Sequence, residues 1–220
     1  MSEVMTCMPF EQLMNWVLEE KKTKGTVFGQ HRAYAAETDR KLNIFERNLE
    51  TPIGPAAGPH TQLTQNIVAS YYAGARFFEL KTVQKMDGAE LAACINRPCI
   101  LADDEGYNCE WSTELTVPDA MSEYIKAWFI LHVMAKEFNL GAQDGFQFNI
   151  SVGYDLEGIK GDKVNTFIDG MMEANDTAVF QECKKWLLDN ADRFHNFTRE
   201  DIEAIPSNVC NSATISTLHG

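Results

Sequence analysis

The stretch "TPIGPAAGPH", Thr51 to His60, carries three prolines and two glycines and no charge before its final histidine. Proline lacks an amide donor and breaks a helix, so this segment reads as extended chain closing in a tight turn. It runs straight into Thr61 to Ala73, where Leu63, Ile67, Val68 and Tyr71 fall at helical spacing and Gly74 stands as the terminator. "RFFELKTVQ", Arg76 to Gln84, follows as a short β-rich run. The unit is strand, turn, helix, strand. In such a unit Gly54 and Gly58 would let the backbone approach a ligand, and Thr61 would cap the helix start near an anionic group.

Working outward, the same alternation continues. Phe10 to Lys22 has the apolar stripe of an amphipathic helix, and Gly25 to Arg47 is polar and irregular, a surface arm or short hairpin. Asp119 to Phe138 reads as a long buried helix and "FQFNISVGY", Phe146 to Tyr154, as a strand. Val164 to Ala174 and Thr177 to Arg193 read as helices, and Ala213 to Gly220 as a last strand. Strands alternating with helices predict an α/β fold with a parallel sheet. Residues 1–50 form an N-terminal helix and irregular arm, and residues 51–220 form the α/β unit.

Composition narrows the function classes. A net charge of −13, from 19 basic and 32 acidic residues, cannot assemble a basic face and excludes nucleic acid as a partner. The longest apolar run, Ala127 to Ala135, is nine residues broken by His132, too short for a membrane span. The first residues, Met1 to Cys7, do not read as a secretory signal. The six cysteines are therefore expected as reduced thiols in a cytoplasmic protein. Cys94, Cys99 and Cys109 lack the short gaps and the fourth ligand of a metal or cluster site, so no metal is expected.

The strand faces point to a site. Glu79 and Lys81 alternate onto one face of "FFELKTV", away from Phe78 and Leu80. Asn149, Ser151 and Gly153 share one face of the next strand, and Thr214 and Ser216 one face of the last. A strand that only fills a core should be apolar on both faces. Three polar faces converging at the carboxyl ends of parallel strands suggest a polar ligand pocket.

"TPIGPAAGPHTQ" through "GARFFELKTVQ" resembles the first strand–helix–strand unit of the flavin domain of dihydroorotate and dihydropyrimidine dehydrogenases. "TPIGPAAGPHTQL", "ELKTVQ", "NCEWSTE", "EYIKAWF", "SVGYDLEGIK" and "STLHG" further resemble the amino-terminal region of a family of iron–sulfur flavoproteins labelled selenate reductase subunits. The likeness covers nearly the whole chain. It implies a (β/α)8 barrel of the dihydroorotate dehydrogenase type and an FMN site for electron or hydride transfer. The flavin-wrapping turn falls on Ala56, Ala57 and Gly58, and the lysine at the flavin pyrimidine edge on Lys81, with Thr82 beside it. The family's next loop supplies an asparagine, matched by Asn108 or Ser112. Asn149, Ser151 and Ser216 complete the expected polar lining. Thr214 and Ser216 stand where the family has a glutamate–x–asparagine pattern, and no cysteine follows to serve as proton donor. No catalytic residue is therefore assigned. Iron–sulfur clusters, FAD and NAD(P)H are implied only by the family's later modules.

A complete barrel of this kind needs about 250 residues. The 220 residues reach what reads as strand four, so the expectation is the first half of a barrel, inactive by itself. Its expected partners are the rest of its own barrel or another chain pairing at open strand edges, and electron-transfer modules or subunits. Two other readings stay open: a non-catalytic barrel scaffold for such partners, and an aldolase-type barrel using Lys81 as a Schiff-base amine.

Overall fold

The computed structural model describes residues 6–36, 42–81, 115–152 and 156–215. Helix α1 (Phe10–Lys24) buries Phe10, Leu13, Met14 and Val17. Gly25 closes it at φ 72°, its N–H reaching the Lys21 carbonyl, with three lysines in the last turn opposing the dipole. The arm that follows contains the antiparallel hairpin β1 (Leu42–Ile44) and β2 (Arg47–Leu49).

Thr51 to Gly58 behaves as the proline pattern predicts. The Ile53 carbonyl accepts from the amides of Arg76 (2.8 Å) and Phe77 (3.2 Å), and the Pro55 carbonyl from that of Glu79 (3.3 Å). The segment thus lies along the outer edge of β3 (Phe77–Lys81). Pro52 and Pro55 have no amide to give back, so it pairs through carbonyls without forming a regular ladder. A Cβ at Gly54 would fall 1.3 Å from the Phe77 carbonyl oxygen, so the neighbouring strand by itself requires glycine here.

The helix expected over Thr61 to Ala73 is divided. A 3-10 turn spans Pro59–Gln62, and α2 spans Thr64–Tyr72. Gly74, at φ 118°, follows α2 in the left-handed region and terminates it as predicted. Beyond it, α3 (Val117–Glu137) is buried along nearly its whole length and packs against α2, α5 (Asp162–Met172) and α6 (Ala178–Asp189). Thr116 caps α3, its hydroxyl accepting from the Asp119 amide.

Strands β3, β4 (Gln147–Val152) and β5 (Cys210–Ile215) pair in parallel in the order β3–β4–β5. The short α4 (Leu156–Lys160), then α5, α6 and α7 (Arg199–Glu203), connect β4 to β5. The last strand starts three residues before its predicted position, and residues 216–220 lie outside the described ones. Phe78, Leu80, Phe148, Ile150 and Val152 from the sheet join α1, α2, α3, α5 and α6 in one core. Helix α1 belongs to that core, with the Phe10 ring 6.2 Å from Phe129 and 5.7 Å from Trp186.

A buried ion pair ties the arm to the sheet. Arg76, fully buried, donates from Nε to Glu50 Oε2 at 2.8 Å, and from Nη1 and Nη2 to the carbonyls of Tyr71, Ala75 and Leu140. Glu50 also accepts from the Ala142 amide at 2.6 Å. Both charges are thereby answered by several hydrogen bonds, the condition under which a buried pair is tolerated.

Candidate functional site

The register of the sheet assembles the carboxyl-end face residue by residue. Glu79 lies opposite Asn149 and Lys81 opposite Ser151, while Ser151 lies opposite Thr214 on β5. Paired positions in parallel strands share a face, so one surface of the sheet carries a carboxylate, an ammonium, an amide and a hydroxyl within three residues of the strand ends. Burial along β3 alternates as the sequence predicted. Phe78 and Leu80 are enclosed in the core, and Glu79 and Lys81 are half-buried. Asn149 is buried and Ser151 half-buried.

One feature of β5 was not legible beforehand. Phe148 pairs with Cys210, but Ile150 pairs with Ala213, so β5 carries an extra residue at Asn211–Ser212. Without that bulge, Thr214 would be displaced from Ser151 by one position.

The turn Ala56–Gly58 follows directly on the Pro55–Glu79 hydrogen bond, placing it at the same end of β3 as Lys81. Gly58 is buried and clamped: the Thr61 hydroxyl accepts from its amide at 3.0 Å and donates to its carbonyl at 2.7 Å. Thr61 therefore fixes the turn and does not cap α2 for a ligand. The amino terminus of α2 already has its anion. Glu123 of α3 accepts from the Thr64 amide at 2.8 Å, and the Thr64 hydroxyl donates to the Glu123 carbonyl at 2.9 Å. Lys126 is the countercharge to that buried carboxylate and also donates to the Met8 carbonyl. The Tyr124 hydroxyl, from the same helix, donates to the Lys81 carbonyl at 2.7 Å and holds the end of β3.

Of the predicted site residues, Ala56, Ala57, Gly58, Lys81, Asn149 and Ser151 lie at this end of the sheet. Thr82, Asn108, Ser112 and Ser216 lie outside the described residues, as do Cys94, Cys99 and Cys109. Among the described residues no group of three or more His, Cys, Asp or Glu is placed to hold a metal ion. No helix among them is long and apolar enough to cross a membrane. At the opposite end of β4, a cavity of about 400 Å³ includes Arg47 and His132. Its only sequence signal was a histidine interrupting the apolar run of α3.

Comparison with known proteins agrees with the parallel α/β architecture. The chain is 41% identical over 234 aligned residues to "Putative oxidoreductase YgfK" of Escherichia coli (strain K12). It is equally similar to the protein of the same name from Escherichia coli O157:H7. All of the chain is covered in both cases, and it spans 22% of the length of these relatives. No solved structure is significantly similar to it. Residues 28–220 match the family described as "Oxidoreductase YgfK, N-terminal TIM-barrel domain", and the chain belongs to that family of oxidoreductase amino-terminal TIM-barrel domains.

Proposed function

We propose that this chain supplies the first half of a (β/α)8 flavin barrel, contributing strands one to four and part of an FMN-type site to an iron–sulfur oxidoreductase. Residues 53–55, β3, β4 and β5 would be the four strands. The observation carrying this reading is the one-sided polarity of the parallel strands: Glu79, Lys81, Asn149 and Ser151 on one surface, and Phe78, Leu80, Phe148, Ile150 and Val152 on the other. Carboxyl ends of barrel strands are where such folds do their chemistry.

The residues present fit the pyrimidine edge of a flavin. That edge is acceptor-rich and gathers negative charge on reduction, which suits an ammonium with amide and hydroxyl donors beside it. Lys81 would meet the edge, Asn149 and Ser151 would line it, and the backbone of Ala56, Ala57 and Gly58 would lie against the ring system. Thr82, Asn108 or Ser112, and Ser216 would extend the same lining. Bound there, the flavin would supply the electron or hydride transfer. This chain's contribution is to orient it and neutralise charge. The clamp on Gly58 by Thr61, and on the end of β3 by Tyr124, would keep that surface rigid. The remaining strands, any phosphate grip and the FAD, NAD(P)H and iron–sulfur modules would come from the rest of a longer protein. The free thiols Cys7, Cys183 and Cys210 suit a cytoplasmic setting.

The test is an absorption spectrum of the natural-length protein. Flavin bands near ~450 nm, released on denaturation as FMN, are the expected result. A natural-length protein purified without FMN and unable to take it up would overturn the proposal and favour a non-catalytic scaffold.

A further inference from the structure

A half-open cavity lies at the other end of β4, where the sheet begins. It is lined by the β1–β2 hairpin, α3, the loop entering β4 and the loop entering β5, and its volume is about 400 Å³. That volume is within the range of small-molecule sites. Its floor is aromatic: the His132 ring lies 4.6 Å from Trp128 and 5.0 Å from Phe146, centroid to centroid. Trp128 is fixed by its Nε1–H, which donates to the Pro206 carbonyl at 2.9 Å.

Two polar groups of the lining lack protein partners. His132 is 2% exposed, and neither Nδ1 nor Nε2 has a hydrogen-bond partner. Gln143 Nε2, buried in the loop before β4, is in the same condition. Buried polar atoms are nearly always hydrogen-bonded, and two such groups on residues that line one cavity call for a ligand or ordered water. Arg47 adds the only cation of the lining. It is held by the carbonyls of Asn208 and Val209 and by the Asn208 side chain, and its Cζ is 5.4 Å from the centre of the Trp128 ring. Its Nε–H takes no part in those bonds.

We propose that this cavity binds a small planar carboxylic acid, with Arg47, His132 and Gln143 donating to the carboxylate and Trp128 and Phe146 receiving the ring. The unpartnered groups of the lining, Gln143 Nε2 and the ring N–H of His132, bring donors beside the Arg47 guanidinium, which suits a ligand that presents acceptors. A single cation, with Glu46 and Asp144 also in the lining, suits a monoanion better than a phosphate dianion. The aromatic floor suits a flat ring better than the aliphatic stem of an acidic side chain from another segment. Burial, followed by the Arg47 charge, pushes His132 down to about 3. The imidazole is therefore neutral and offers one N–H to the ligand.

The test uses benzoate as probe on the natural-length protein, by titration calorimetry and by thermal shift. One saturable site is expected, with a ligand-dependent rise in Tm. His132→Phe keeps the ring and removes both orphaned nitrogens, so the ligand-free protein should melt no lower than wild type while benzoate affinity falls ~10-fold or more. Gln143→Leu, in a loop, should weaken benzoate by a similar factor and serves if His132→Phe does not fold. Absence of benzoate binding by the wild type, as when another segment or water alone fills the cavity, overturns the proposal. So does unchanged affinity in both variants. Neither outcome depends on flavin content at the opposite end of the sheet.

Discussion

His132 is a buried titratable group that, unlike Arg76 and Glu123, has no ion-pair partner. Its pKa is displaced downward by burial first and by Arg47 second, to about 3, from an unfolded value near 6.5. Between those values the unfolded chain binds a proton that the native chain refuses. Stability from this group is therefore full above about pH 6.5 and declines as pH falls, by up to about 1.4 kcal/mol per unit. Urea denaturation at pH 7 and pH 5 checks this. His132→Phe should lose distinctly less stability over that interval than wild type. Equal losses would mean that His132 titrates normally. At the same scale, Gly54 and Thr61 show why a side chain's role can be misread from sequence. Proline and glycine mark a tight turn, but only the register of the neighbouring strand reveals that Gly54 yields to the Phe77 carbonyl and that Thr61 clamps Gly58.

At the scale of elements, the buried Glu50–Arg76 pair joins the end of the hairpin arm to the start of β3. Side-chain exposures of 4% and 0% leave no water to replace a lost partner. Glu50→Gln would leave the Arg76 charge buried and unopposed, and should cost about 3–5 kcal/mol. A chemical-denaturation midpoint displaced at constant m would confirm it, and a loss under about 1 kcal/mol would show that the backbone carbonyls around Arg76 suffice. The helices were legible because their apolar periodicity is long: α1 and α3 lie within two residues of their predicted bounds. The faces of β3 and β4 were legible for the same reason, Glu79, Lys81, Asn149 and Ser151 being polar against an apolar alternation. What period alone could not carry was the β5 bulge, the division of Thr61–Ala73 by a 3-10 turn, and the cavity beside His132. Each depends on contacts between segments far apart in sequence.

For the molecule as a whole, the described sheet is open. β5 has no strand on its outer side among the described residues, and residues 53–55 face outward from β3 with Ile53 67% exposed. Edges of this kind pair with further strands of a barrel or with other chains. The 220-residue chain expressed alone should therefore associate, which light scattering would register as species heavier than the monomer. A cooperative, monodisperse monomer would mean that the edges are covered. The central claim concerns the other surface, where Lys81 is proposed to meet the pyrimidine edge of a flavin. The most direct measurement is the flavin midpoint potential of natural-length Lys81→Met beside wild type, at matched flavin content. Removing the ammonium should weaken binding of the reduced form more than the oxidised form and make the potential more negative. Each ~1.4 kcal/mol of that difference corresponds to roughly 30 mV for a two-electron couple. A shift of that order is the predicted result. Normal flavin content with an unmoved potential would contradict the assignment of Lys81 and, with it, the proposed site.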